Sequence, residues 1–224
     1  DFFFFFLCYF GFLIPLQRTL FYLRSILYIY TFFHLRLFSM EENLKQHSSS
    51  CIRVVFFGPE STGKTTLAKA LAAAFKTRWV PEFAREYLEE KLTRTGEICT
   101  PEDIYPIAEG QMRLENQALQ QANIFLFCDT NLLSTEVYAK AYFDGWCDTR
   151  VLEANEVNHY NIYFLTDIDV PFEQDLLRDR PHQRQEMLAA FKTALNEHNI
   201  TYTILHGSHE ARILQVMDCL KQYV

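Results

Sequence analysis

The chain lacks an excess of positive charge. Its 224 residues carry 21 Lys and Arg against 28 Asp and Glu, a formal charge of −7, and the pI lies near 5.5. That balance argues against a surface built to hold nucleic acid. Paired cysteines are also missing. Cys8, Cys51, Cys99, Cys128, Cys147 and Cys219 are scattered, with no C-x-x-C pair and no His/Cys cluster. A zinc site and a disulfide framework are thereby excluded. The pattern reads as reduced thiols in a cytoplasmic protein, with Cys51 and Cys128 inside apolar strand-like runs. No internal repeat or low-complexity stretch follows residue 40. A full membrane-length apolar run is absent too: Phe2 to Leu16 is apolar, but its 15 residues include Gly11 and Pro15 and fall short of about 20.

Residues 1–39 have a composition of their own. They hold 11 of the 21 Phe residues and four charged residues, Asp1, Arg18, Arg24 and Arg36, and the first methionine is Met40. No basic leader and no small-residue cleavage site precede Met40, which argues against a signal peptide. The segment reads as upstream sequence translated in frame. A membrane or interfacial anchor is the alternative, and a membrane partner is expected only if residues 1–39 are genuine. Residues 40–50 read as a polar linker, and residues 51–224 as a single α/β domain.

What organises that domain is Cys51-Ile-Arg-Val-Val-Phe-Phe57 followed by Gly58-Pro59-Glu60-Ser61-Thr62-Gly63-Lys64-Thr65-Thr66. The first run is apolar, β-branched and aromatic, the pattern of a buried parallel strand. The second matches G-x-x-x-x-G-K-[ST] in full. Leu67, Ala68, Leu71, Ala72 and Phe75 then recur at helical spacing. Chance matches in a chain this size are on the order of one in a hundred or rarer, and the strand–loop–helix setting lowers that further. Gly58 and Gly63 let main-chain N–H groups close around phosphate oxygens. The following helix points its positive N-terminus at the same place. Lys64 supplies a mobile charge to the β- and γ-phosphates, and the Thr65 hydroxyl is a Mg²⁺ ligand. The absence of an N-K-x-D base-reading motif leans towards ATP.

The rest of the domain alternates. Arg78-Trp-Val80 reads as a short strand, with Glu82 and Arg85 just past its end, where ligands gather in open α/β sheets; a solvated helix start is the competing reading. Residues 91–100 read as a polar connector. Thr100-Pro101-Glu102-Asp103 is a helix start, and the helix runs to about Ala122, with Gln111, Arg113 and Glu115 expected to be mostly solvated. Ile124 to Cys128 is a buried strand ending in Asp129, placed for an acid associated with Mg²⁺, although Asp129 would also serve as a helix cap. Ser134 to Phe143 is helical. Tyr160 to Leu165 is a strand that leads into Asp167 and Asp169, expected at the ligand edge. Arg178, Arg180 and Arg184 on a Pro-containing loop suggest a lid that closes over a transferring phosphoryl group, with a surface ion-pair cluster as the alternative. A helix from Gln185, a strand from Thr201 to Leu205 and a last helix from Ser208 complete the chain. The expected fold is a three-layer α/β P-loop sandwich around a mostly parallel five-stranded sheet.

Four blocks in this order, Gly58-Pro-Glu-Ser-Thr-Gly-Lys-Thr65, Val80-Pro-Glu-Phe-Ala-Arg-Glu-Tyr-Leu88, Phe127-Cys-Asp-Thr-Asn131 and Asp175-Leu-Leu-Arg-Asp-Arg-Pro181, resemble the ribosylnicotinamide kinase domain of NadR-type proteins, which are AAA-ATPase-like P-loop kinases. The resemblance implies ATP-dependent phosphorylation of the 5′-hydroxyl of nicotinamide riboside, or of a similar nucleoside. It also implies ATP and Mg²⁺ as cofactors, with the metal on Thr65 and Asp129, and positive charge from Lys64, Arg178 and Arg180. Glu82 is the first candidate for the base, since it follows Lys64 by 18 residues, a placement similar to that of the base in related nucleoside kinases; Asp129 is the second. The residues leave two alternatives open, a kinase for another small acceptor and a regulatory ATPase with a protein partner. No H-x-G-H motif occurs, so neither nucleotidyl transfer nor repression is carried over. The oligomeric state stays open.

Overall fold

The apolar run ahead of the phosphate loop forms the central strand β1 (Ile52–Phe57) in a computed structural model that describes residues 42–173 and 181–223. Residues 1–39, with the leader and anchor expectations, lie outside the described residues. Four further strands follow, β2 (Arg78–Val80), β3 (Phe125–Asp129), β4 (Ile162–Thr166) and β5 (Tyr202–Leu205). Between and after them come helices α1 (Lys64–Ala74), α2 (Phe83–Thr95), α3 (Ile104–Leu119), α4 (Leu132–Tyr142), α5 (Thr149–Val157), α6 (Arg184–Glu197) and α7 (His209–Leu220). The strands lie in the order β2-β3-β1-β4-β5, and every pairing is parallel.

A sheet covered on both faces explains the nearly continuous apolar strands. Alternate residues point to opposite sides. Val54, Phe56, Phe125, Phe127 and Phe164 face α1 and α7 through Leu67, Leu71, Val216 and Leu220. Val55, Phe57, Leu126, Cys128 and Leu165 face α4 and α6 through Leu133, Val137, Phe191 and Leu195. On the first side three neighbouring strands stack their rings, with Phe56 6.2 Å from Phe127 and 6.0 Å from Phe164, centroid to centroid.

Register then places the chemistry. Phe56 lies beside Asp129 and Phe57 beside Leu165. The phosphate loop therefore leaves β1 between the ends of β3 and β4, at the carboxyl edge where strand order switches sides.

Three sequence expectations are corrected. The segment 40–50 is not a loose linker where it is described. Leu44 is fully buried among Ile104, Ala108, Met112 and Val151, and Asn158 Nδ2 donates to its carbonyl at 2.8 Å. Glu115 is fully buried instead of solvated, and Gln111 is 2% exposed. Glu115 Oε1 accepts from Arg53 Nε at 3.0 Å and from Gln46 Nε2 at 2.8 Å, while Tyr160 donates to Oε2 at 2.7 Å. One acid thus joins the 42–50 segment to α3, β1 and the start of β4. Burial still lifts its carboxyl above the ordinary value against these partners. Helix α5 was not expected at all. Its N-cap Asp148 accepts from Arg150 N at 2.9 Å, but only Val151 and Ala154 are buried, too sparse a pattern to read in nine residues.

Helices α2 and α3 meet at Gly110, where a Cβ would stand 1.9 Å from Phe83 Cε1. Gly110→Ala is expected to force the two helices apart and lower stability by roughly 1–3 kcal/mol, the usual cost of overpacking. Urea unfolding of the variant and the parent chain checks this; equal midpoints would mean that Phe83 turns aside freely.

Candidate active site

The loop 58–63 owes its shape to two glycines. Gly58 has φ 137°, and a Cβ there would meet Thr166 Oγ1 at 2.8 Å and Thr166 O at 2.9 Å. Gly63 has φ 84° and forms the N-cap of α1 without a side chain to offer. Around them the hydroxyls close the loop. Thr62 Oγ1 donates to Pro59 O at 2.7 Å and lies 2.7 Å from Thr166 Oγ1. Lys64 Nζ is folded into the same loop and donates to Gly58 O at 2.9 Å and Pro59 O at 2.7 Å. These carbonyls hold the ammonium at the mouth of the loop.

Asp129 ends β3 directly opposite. It is 1% exposed, and Thr65 Oγ1 donates to its Oδ2 at 2.5 Å. Oδ1 is buried with no hydrogen-bond partner among the described residues. Burial first, then the charge of Glu82, pushes the Asp129 carboxyl up to about 6, against the pull of Lys64 and the Thr65 hydrogen bond. An orphaned carboxylate oxygen beside a hydroxyl is a hard-oxygen set that suits Mg²⁺, so the residues present fit the metal expected on Thr65 and Asp129. The next residue, Thr130, has φ 86°, a costly conformation for a β-branched residue. Its N–H reaches Phe56 O at 3.2 Å, and Asn131 caps α4 by accepting from Ser134 N at 3.2 Å. This turn re-aims the chain abruptly from strand to helix and keeps Asp129 at the crevice.

One cavity of about 810 Å³ runs from Gly63, Lys64 and Thr65 past Asp129 and Glu82 to Ile104 and Tyr142. Glu82 sits at the N-cap position of α2 with no side-chain capping bond. Its backbone is held from both flanks by buried Gln111, which accepts from Phe83 N at 2.9 Å and donates to Pro81 O at 3.2 Å. Arg85 lines the same cavity and pairs with Glu89 at 3.1 Å. The structure therefore brings Gly58–Thr66, Glu82, Arg85 and Asp129 together.

Other expectations meet a different outcome. Arg178 and Arg180 lie outside the described residues. Arg184, the third arginine of that group, donates to Val170 O at 2.9 Å and to Ser61 O at 3.4 Å. Asp167 and Asp169 do not line the cavity. Asp167 Oδ2 lies 2.9 Å from His206 Nδ1, and Asp169 accepts from Gly207 N at 2.5 Å.

Several lining residues gave no signal in the sequence. Tyr138 and Tyr142 on α4, with Phe143 at its C-cap, form an aromatic wall, and Ile98 and Cys99, from the expected polar connector, face the cavity with them. Burial, reinforced by the Glu82 and Glu60 charges, drives the Tyr138 phenol well above its ordinary value. Helical spacing identifies Tyr138 and Tyr142 as one face but does not say which wall that face meets.

The raised Asp129 carboxyl has a consequence for stability. Between about pH 4 and pH 6 the native chain retains a proton that the unfolded chain has lost, so this group's contribution turns unfavourable as pH rises through that window. Asp129→Asn should gain stability relative to the parent as pH rises from 4 to 7, by roughly 1–3 kcal/mol at about 1.4 kcal/mol per pH unit. Urea titrations at both pH values measure it, and a pH-independent difference would contradict it.

Comparison with known proteins places this geometry among relatives. The model of a family described as "AAA domain" matches residues 53–212. The chain is 26% identical over 172 residues to the trifunctional NAD biosynthesis/regulator protein NadR of Escherichia coli (strain K12), covering 75% of this chain and 42% of that protein. It thus spans about two fifths of the length of the curated relative. Solved NadR structures, one in complex with NR and another with NAD and AMP-PNP, superimpose with TM-scores of 0.64 and 0.61 at 23% and 22% identity. Each covers 78% of this chain, and about half of the NadR chain is matched, 51% and 50%. A deoxyadenosine kinase from M. mycoides gives a TM-score of 0.57 at 12% identity, covering 76% of this chain and 100% of the kinase. These likenesses identify the α/β P-loop fold shared with nucleoside and nucleotide kinases.

Proposed function

The chain belongs to the AAA domain family matched over residues 53–212, and from that premise we propose that it is an ATP-dependent kinase for a small nucleoside-like acceptor, nicotinamide riboside first among candidates. The strongest support is one cavity of about 810 Å³ lined by the phosphate loop, by Asp129 and Glu82, and by the aromatic side chains of Tyr138, Tyr142 and Phe143. A nucleotide switch has no use for aromatic walls in the same cavity as its phosphate loop; a transferase needs them for the acceptor. The sequence similarity to NadR and the NR bound in a related structure support the choice of acceptor. Among the described residues no helix is long and apolar enough to cross a membrane.

Phosphoryl transfer asks for positioning and charge neutralisation more than for covalent chemistry. Lys64 Nζ would exchange the Gly58 and Pro59 carbonyls for β- and γ-phosphate oxygens. Thr65 and Asp129 would hold Mg²⁺, which when bound neutralises phosphate charge. Glu82 would orient the acceptor hydroxyl and take its proton as the hydroxyl oxygen bonds to the γ-phosphorus and the bond to ADP breaks. Asp129, with its raised carboxyl, is the second candidate for that proton. Tyr138, Tyr142 and Phe143 would receive the flat ring of the acceptor and exclude water from it. Such a wall accepts other heterocycles as well, so a different nucleoside is the competing acceptor. The Arg178 and Arg180 lid stays part of the reading as the source of further positive charge at the transferring group.

The test is ADP release by the full chain with Mg·ATP and a panel of nucleosides. Nicotinamide riboside is expected to stimulate release far above the basal rate. Stimulation by another nucleoside alone would replace the acceptor, and a flat response to all of them would replace the kinase by a regulatory ATPase. Lys64→Ala should reduce turnover at least about a hundredfold, the scale for losing one electrostatic contact to a transition state. Glu82→Gln should lower turnover by about 10²–10⁴-fold while ATP binding persists. Unchanged turnover would take Glu82 out of the role of base.

A further inference from the structure

Arg212 is a buried cation, 2% exposed, on α7 and outside the cavity lining. Its guanidinium binds the ends of three loops. Nε donates to Gly207 O at 3.0 Å, Nη1 to Thr62 O at 2.6 Å, and Nη2 to Asp167 O at 3.2 Å and to the Asp169 carboxylate. Three of the four acceptors are main-chain carbonyls, so the planar fork sets backbone orientation as well as balancing charge.

The bond to Thr62 has the largest consequence. In a planar trans peptide the C=O and the following N–H point in opposite directions. Holding the Thr62 carbonyl on Arg212 therefore turns the Gly63 N–H away from the guanidinium, and Gly63 itself lines the cavity. Gly63 has φ 84° and ψ 15° with only hydrogen in place of a side chain, so little within the loop itself resists rotation of the 62–63 peptide. The restraint comes from α7, 150 residues away in the chain.

We propose that Arg212 is a positioning residue of the phosphate loop. It locks the 62–63 peptide with the Gly63 N–H presented to the phosphate oxygens of a nucleoside triphosphate. It also ties the loop to the Gly207 turn, beyond which His209 lines the same cavity. The inference rests on reading this cavity as the nucleotide site. A lysine at 212 keeps the charge but is a point donor without the planar fork, so it cannot hold Thr62, Gly207 and Asp167 together.

Fluorescent ATP and AMP analogues titrated into the full chain without acceptor test this, together with the melting temperature of each variant. Arg212→Lys is expected to weaken ATP binding by about tenfold or more, as for a lost charge-assisted contact. It should affect AMP, which lacks the β- and γ-phosphates, far less. Asp169→Asn, which leaves the guanidinium in place, should show a smaller loss with the same ATP-over-AMP bias. A lowered melting temperature with both affinities unchanged, or with both reduced equally, would reduce Arg212 to a structural brace and overturn the proposal. If Arg212→Lys does not fold, the bias in Asp169→Asn decides by the same criterion. A parent chain that binds ATP but phosphorylates no acceptor defeats the kinase reading alone, because the Arg212 measurement needs no turnover; a parent that binds neither nucleotide defeats both.

Discussion

The geometry of the phosphate loop depends on the contact between Gly58 and Thr166. The last residue of β4 presses its hydroxyl and carbonyl against the first residue of the phosphate loop, too close for any side chain at position 58. The same hydroxyl donates to Phe57 O at 3.2 Å and meets the Thr62 hydroxyl. One threonine therefore holds both the entrance and the far side of the loop. Its position follows from the register of β1 and β4, which the stacked phenylalanines and the helices on either face keep from slipping. A phosphate loop is only as well defined as the strand ends around it, and here three of them converge: β1 carries the loop, β3 supplies Asp129 and β4 supplies Thr166.

Against that frame the site concentrates unfavourable charge. Asp129 and Glu82 both face one cavity, and Asp129 is buried with an oxygen that no group among the described residues satisfies. A buried polar group without a partner costs free energy, as does the left-handed backbone at Thr130. Both costs fall at the same turn, the place where strain and perturbed groups gather in functional sites. Lys64, folded back on the loop carbonyls, offsets part of the charge without reaching the orphaned oxygen. The orphaned carboxylate oxygen and the Thr65 hydroxyl thus stand together beside the phosphate loop, in the lining of one cavity.

The opposite end of the sheet is treated differently. Arg53, Glu115, Gln46 and Tyr160 form a network in which both carboxylate oxygens are taken up. It fastens the 42–50 segment across α3 and the start of β4. Polar groups are buried at both ends of the sheet, but among the described residues only the carboxyl end leaves side-chain atoms without a hydrogen bond. That asymmetry separates the structural network from the site more clearly than the residue types do, since each contains a buried acid and a basic residue.

The linear chain already specifies the central strand and the loop after it, because a continuous apolar run and a G-x-x-x-x-G-K-T string are local and leave few alternatives. It also located all five strands to within two residues at each end, since each is short, β-branched or aromatic and bounded by polar turns. The convergence of Glu82 and Asp129 was legible once both were seen to follow strand ends. Contacts between distant segments depend instead on how the elements pack. Gln111 and Glu115 look like solvated helix residues until α3 is packed against β2 and the 42–50 segment. Tyr138, Ile98 and Cys99 become cavity walls through helix placement and not through any spacing of their own. Arg212 carries no motif, and its role depends on four acceptors contributed by three loops. Hydrogen-bonding partners so far apart in the chain leave no periodic trace, because nothing local constrains them until the sheet has brought its strand ends together.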